Sequence, residues 1–173
     1  MTVRPEQIKN FRVYESGSNV SFGMATVQLP SMEAVTNEIK GAGIAGAYTA
    51  PVVGHYGPLT TTVNFYASSP AIKSLYSGQY KMFDLRVAEQ RHDDSTGSKD
   101  VSGVKYLVAG TITKLDLGAV EGGASADGSF DLDTTIFAVY QDGVELQYLD
   151  KINYIYRING TDVLEAERAA LGG

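Results

Sequence analysis

No cysteine occurs among the 173 residues of the chain. That absence excludes a disulfide framework, a thiolate nucleophile and any cysteine metal site, and it suits an intracellular origin. Histidine is nearly absent too, with only His55 and His92. No apolar run approaches the ~18 residues that would span a bilayer. The amino terminus, Met1-Thr-Val-Arg-Pro-Glu-Gln-Ile-Lys-Asn10, lacks the apolar centre of a signal peptide. No membrane anchor is therefore expected, and the sequons at Asn19 and Asn159 are read as chance matches.

Charge of one sign is missing from two long segments. Ile39 to Phe83 contains no acidic residue, although the chain carries a net charge of −6. Leu115 to Asp150 contains no lysine or arginine but holds Asp116, Glu121, Asp127, Asp131, Asp133, Asp142, Glu145 and Asp150. An acidic balance, with a pI near 4.8, argues against gripping nucleic acid through phosphate neutralisation. It leaves open the passage of nucleic acid without a grip.

What is abundant is tyrosine, threonine, valine and glycine in period-two alternation, the signature of strands. A chain of this length is one domain by prior and can bury roughly 70% of its unfolded-state surface. The alternation predicts strands over Asn10–Glu15, Val20–Leu29, Leu59–Ala67, Tyr80–Gln90, Gly103–Leu117, Ser129–Tyr140, Val144–Leu149 and Ile152–Ile158, with Ser31–Lys40 leaning the same way. Ser68-Ser-Pro70 opens a short helix carrying Ile72, Leu75 and Tyr76, closed by Gly78. Asp162 and Glu165 have capping-box spacing for a second short helix. The polar run Arg91–Ser102 reads as a loop. Phe83, Leu85 and Val87 point inward. On Ser129–Tyr140, Phe130, Leu132, Thr134, Ile136 and Ala138 share one side, with Asp131, Asp133 and Thr135 opposite.

Several of these strands exceed the usual five or six residues. In a monomer they would expose edges, and pairing with neighbouring subunits around a closed ring removes that liability. The polar faces have a common character as well. Thr60, Thr62 and Asn64, then Thr111 and Thr113, then Asp131, Asp133 and Thr135 are hydroxyl, amide or anionic, with no lysine or arginine among them. They fit either an ordinary solvent-facing sheet or the lining of a water-filled channel that repels a polyanion.

Enzyme signatures are wanting. Gly41, Gly43 and Gly46 match G-x-G-x-x-G, but a dinucleotide site needs a buried strand before it, a helix after it and an acid about 20 residues on. Here Pro51, Gly54, Gly57 and Pro58 follow, and the next acid is Asp84. His92-Asp-Asp94 lacks spaced metal ligands and reads as a hairpin tip. His55 has no evident partner, and there is no G-x-S-x-G. No catalytic residue, metal or cofactor is expected.

In this order and spacing, Lys9-Asn-Phe-Arg-Val-Tyr14, Val27-Gln-Leu-Pro30, Glu38-Ile-Lys-Gly-Ala-Gly-Ile-Ala-Gly46 and Asp84-Leu-Arg86 form a recognisable series. Gly110-Thr-Ile-Thr-Lys-Leu-Asp-Leu-Gly118 and the ending Ile158-Asn-Gly-Thr-Asp-Val-Leu-Glu-Ala-Glu-Arg-Ala-Ala-Leu-Gly172 complete it. Over most of its length the chain resembles the major tail tube proteins of contractile-tailed bacteriophages and the inner-tube subunits of R-type bacteriocins. It departs from them in the lysine-free Ala119–Gly128 loop. The resemblance implies a mainly β fold, a β-sandwich or open barrel with one flanking helix and a short C-terminal helix. Residues 1–173 would form a single tail-tube domain, assembling as hexameric rings with a continuous inner β-barrel.

It further implies a structural role without catalysis, in the tail of a virion or in a bacteriocin particle put together in the bacterial cytoplasm. Partners would be other copies, the tail sheath protein, and the baseplate hub and terminator proteins. DNA would pass without specific binding. On this view Gly41, Gly43, Ile44, Gly46, Tyr48, Pro51 and Val52 belong to an arm that contacts the adjacent ring. The Thr and Asp faces become lumen-facing candidates. Two other expectations stay open beside it: a subunit of a type VI secretion-like tube, and a ring-forming ligand-binding β-sandwich.

Overall fold

A computed structural model describes residues 3–17, 21–22, 26–66, 75–119, 121–122 and 127–172. The strands are β1 (Val3–Glu15), β2 (Ser21–Phe22), β3 (Thr26–Gln28), β4 (Ala34–Ile39), β5 (Tyr48–Tyr56) and β6 (Thr60–Tyr66). They continue as β7 (Tyr80–Asp93), β8 (Lys99–Asp116), β9 (Asp127–Gln141), β10 (Val144–Asp150), β11 (Ile155–Ile158) and β12 (Thr161–Asp162), before one helix, α1 (Glu165–Ala170). The fold is mainly β and antiparallel, as expected. The expected flanking helix falls largely on residues 67–74, outside the described residues; Leu75 just beyond them is buried.

One sheet runs β12-β11-β10-β9-β8-β7-β1-β2, and β6 pairs the first half of β9 and carries β3 on its far side. β9 therefore has β6 along Asp127–Asp133 and β10 along Ile136–Gln141. The larger core cluster gathers Val13, Val63, Phe65, Phe83, Leu85, Val87, Val108, Ile112, Phe130, Leu132 and Phe137. Phe130 is its hub, with ring centroids 5.1 Å from Phe83 and 5.9 Å from Phe65. Complete burial of a Phe side chain stabilises by roughly 1.5–3 kcal/mol.

The inward placement of Phe83, Leu85 and Val87 holds. On β9 the predicted alternation holds only as far as Thr134. Register shifts between Ala109 and Gly110, against Ile136 and Thr134, leave Thr135 as an extra residue. A bulge of this kind reverses the strand's phase, so Phe137 and Val139 join this cluster in place of Ile136, while Ala138 is fully buried outside it. The second bulge, between Ile112 and Lys114, makes Thr113 the extra residue of β8.

Other boundaries move for local reasons. Arg91–Ser102 is mostly strand, with His92 paired to Lys99, and only Asp94–Ser98 turns. Asp93 organises that turn by accepting from the Ser95 N–H and hydroxyl. Ile152–Tyr154 turns because the Asp150 carboxylate accepts from the N–H groups of Ile152 and Asn153. Asp162 is not the N-cap of α1. Leu164 holds that position, and Asp162 instead accepts from the Leu164 N–H and pairs with Arg168.

Candidate functional site: two assembly surfaces

The first surface is a hydroxyl and carboxylate face. Cross-strand register puts Thr111, Asp133 and Thr60 in one row, Asp131 and Thr62 in the next, and Ser129 and Asn64 in a third. The opposite face of the same strands holds Thr61, Val63, Phe65, Phe130 and Leu132, all buried, so the first face must turn outward. Thr62 donates to the Asp131 carboxylate at 2.6 Å, and Thr113 donates to the Asp131 carbonyl at 3.2 Å. Tyr80 and Thr135 hydroxyls lie 3.3 Å apart. All eight residues expected on this face are thus gathered by β6, β8 and β9.

Two features were not legible in the chain. Lys114 stands in register with Asp131, so the face is not free of cations; the bulge at Thr113 brings it there. Thr61 and Thr134 exchange a hydrogen bond of 2.7 Å beneath the face, each fully buried. That bond satisfies both hydroxyls without water.

Among the described residues the face is bounded by two open edges. Beyond its pairing with β6, β3 meets no described strand, and β8 continues past Ile112 to Asp116 after its partners Gln79 and Tyr80 have ended. Unpaired edges of this sort are templates for another chain.

The second surface is the hairpin of β4 and β5. It forms a separate two-stranded sheet, with Thr36–Ile39 opposite Tyr48–Pro51 in a regular ladder. None of its residues is buried. Gly43 and Gly46 in the turn have φ of +93° and +120°, which glycine alone adopts without strain, and the space about each is empty within the subunit. Gly41, Ile44, Tyr48 and Pro51 are exposed as expected for an arm. Val52 is half turned away, and the exposed apolar side chains missed by the sequence reading are Val35, Ile39 and Val53. At Val53 the alternation was obscured by Pro51 and Gly54 on either side.

The arm is rooted in the C-terminal segment. Leu59, Leu149, Tyr156 and Leu164 form a second core cluster against which Met32, Tyr56 and Tyr154 pack. Tyr56 donates to the Tyr156 hydroxyl at 2.9 Å. Burial and this bond push the Tyr56 phenol up to about 12. Gly54 lies so close to Leu164 that a Cβ there would come within 2.6 Å of it. His55, which showed no partner in the sequence, shares a 2.8 Å contact with Tyr154, whose hydroxyl donates to Glu167. The Glu167 carboxylate is accordingly held below the usual range, first by Tyr154 and then by His55. Among the described residues no three of His, Asp and Glu are grouped as a metal site.

Comparison with known proteins agrees with a surface-built rather than a pocket-built function. The family model described as "Phage tail tube protein FII" matches residues 5–172. The "Tail tube protein" of Escherichia phage P2 is 27% identical over 172 residues, covering 97% of this chain and 98% of that protein. The family match spans nearly the whole chain, open edges and arm included, and on it this protein belongs to the phage tail tube protein FII family as a structural subunit of a phage tail tube.

Proposed function

We propose that the chain, as one tail-tube domain over residues 1–173, builds the inner tube of a contractile injection device. Subunits close into hexameric rings, and the rings stack into a hollow conduit for DNA or, in a bacteriocin, ions. The observation that carries this reading is the outward hydroxyl and carboxylate face ending in two open strand edges. Pairing the β8 edge of one subunit with the β3 edge of the next continues that face around a lumen. A lining rich in Thr, Asn and Asp, in which Lys114 is set opposite Asp131, offers a polyanion little grip, because a phosphate backbone is held chiefly by lysine and arginine.

In this arrangement Thr60, Thr62, Asn64, Thr111, Thr113, Asp131, Asp133 and Thr135 face the channel. Gly41, Gly43, Ile44, Gly46, Tyr48, Pro51 and Val52 seat the arm on the adjacent ring. The tail sheath protein encloses the tube, while baseplate hub and terminator proteins bound its ends, and assembly takes place in the host cytoplasm. The subunit holds no cofactor and performs no catalysis. Negative-stain microscopy of the purified protein tests the proposal: hollow tubes or six-fold rings are expected, and a protein that stays monomeric at all concentrations overturns it.

A further inference from the structure

The long sheet is electrostatically lopsided across its width. In a row that runs from the middle of the sheet towards one end, Lys105 on β8, Arg86 on β7 and Arg12 on β1 stand opposite one another in register. Like charges placed so repel. Their described partners are weak: Arg86 lies 5.0 Å over the Tyr14 ring and 3.7 Å from Asp84, Lys105 lies 4.6 Å over Tyr140, and Arg12 leans on the Tyr14 hydroxyl. No described carboxylate forms an ion pair with Arg12 or Lys105.

The other end of the sheet has the opposite balance. From Val144 to Leu171 there are five acids (Glu145, Asp150, Asp162, Glu165, Glu167) and three bases (Lys151, Arg157, Arg168). Both of its arginines are already engaged, Arg157 by Glu145 and Arg168 by Asp162. Glu165 is exposed and in no ion pair among the described residues. The helix that carries it buries none of its residues, and Ile158, Val163 and Leu171 are exposed beside it, Leu171 at 75%. Glu167 and Arg168 tie the helix to Tyr154 and Asp162, which leaves Glu165 and Leu171 facing away from the subunit and open to a partner.

We propose that, within a ring, the β11–β12–α1 edge of each subunit docks on the β1–β7 face of the next, with Glu165 facing Arg12 and Arg86. The occupant is a second copy because the two patches lie at opposite ends of the same sheet. A heterologous contact between like subunits joins such ends, and it makes a ring where its rotation closes. The exposed Ile158, Val163 and Leu171 supply the apolar part of the contact against Ile8, which is 63% exposed on β1. This inference rests on the tube reading, but it adds a lateral contact distinct from the channel wall and from the arm.

The lack of cysteine makes the test clean. Arg12→Cys and Glu165→Cys are combined in one chain, tubes are assembled and oxidised, and the product is run on a non-reducing gel. A ladder ending at the closed ring is expected, with neither single variant giving more than a dimer. Intact tubes without a ladder overturn the lateral contact and leave the tube reading standing. A ladder running far past the ring size also overturns it, since the contact would then lie between rings. If the cysteine pair prevents assembly, charge exchange decides. Glu165→Arg alone should raise the concentration needed for assembly by about tenfold or more while the fold melts normally. Adding Arg12→Glu and Arg86→Glu should restore assembly; failure to restore it overturns the proposal. Wild-type protein that forms neither tubes nor rings counts instead against the tube itself.

Discussion

The body strands β7, β8 and β9 and the arm strands β4 and β5 draw on the same kinds of residue, yet they are stabilised differently. The body buries Phe83, Val108, Ile112, Phe130 and Leu132 to 1% exposure or less, whereas the arm buries nothing and leaves Val35, Ile39, Ile44, Tyr48 and Val53 in water. Glycine makes the contrast concrete. In the body Gly110 is fixed by crowding, since a Cβ there would lie 1.9 Å from the Asp133 carbonyl oxygen. In the arm Gly43 and Gly46 are fixed by backbone conformation, with open space around them. One region folds against itself; the other is shaped in advance for something outside the subunit.

The comparison breaks most severely at the hub of the body. Phe130→Ala should cost about 4 kcal/mol, read as a shift of the denaturation midpoint, because it removes a fully buried ring and leaves a cavity. Gly110→Ala should cost about 3 kcal/mol by forcing β8 away from β9 at the bulge. A variant of unchanged stability would mean that the close approach of the two strands is not rigid.

The root of the arm should respond differently. Leu164→Ala is expected to cost about 2 kcal/mol, and its signature is selective: faster amide exchange over residues 34–56 while β8 and β9 stay protected. Replacing both Gly43 and Gly46 by valine should strain the turn by roughly 1–3 kcal/mol at each site, because a β-branched residue resists positive φ, leave β8 and β9 protected, and abolish stacking of rings. Normal tubes from that variant would remove the arm from the assembly.

The smallest effect is a titration. The Tyr56 phenol, held up at about 12 by burial and by Tyr156, keeps its proton in the folded state after the unfolded chain has lost it near 10. Its contribution is fully present below pH 10 and declines as pH rises from 10 to 12. Arm exchange rates should therefore rise across that window, and Tyr56→Phe should flatten the rise.

Much of this architecture is legible in the chain. The alternation of Thr60–Tyr66 is regular, with Thr60, Thr62 and Asn64 against Thr61, Val63 and Phe65, because both faces have a consistent environment along the whole strand. The Asp142-Gly143 hairpin is equally plain, with both residues at positive φ. The phase reversal at Thr135 is not legible, because nothing in Thr134-Thr135-Ile136 distinguishes a bulge from a regular pair; the decision lies in Gly110 across the ladder. The root of the arm is hidden for a related reason. Tyr56 and Tyr156 are separated by 100 positions, and only folding makes them partners.

By itself, then, the sequence determines a cysteine-free, acidic, strand-dominated chain with a glycine-bent neutral arm and a set of uncharged or anionic strand faces. These follow from composition and period two, which are local properties. The tertiary structure alone decides that those faces merge into one surface, that Lys114 interrupts it, that β3 and β8 end without a further described strand beside them, and that Arg12, Arg86 and Lys105 fall in one row across the sheet while Glu165 stands exposed beyond its other end. Those outcomes depend on cross-strand register, and register is set by bulges and by packing between residues far apart in the chain.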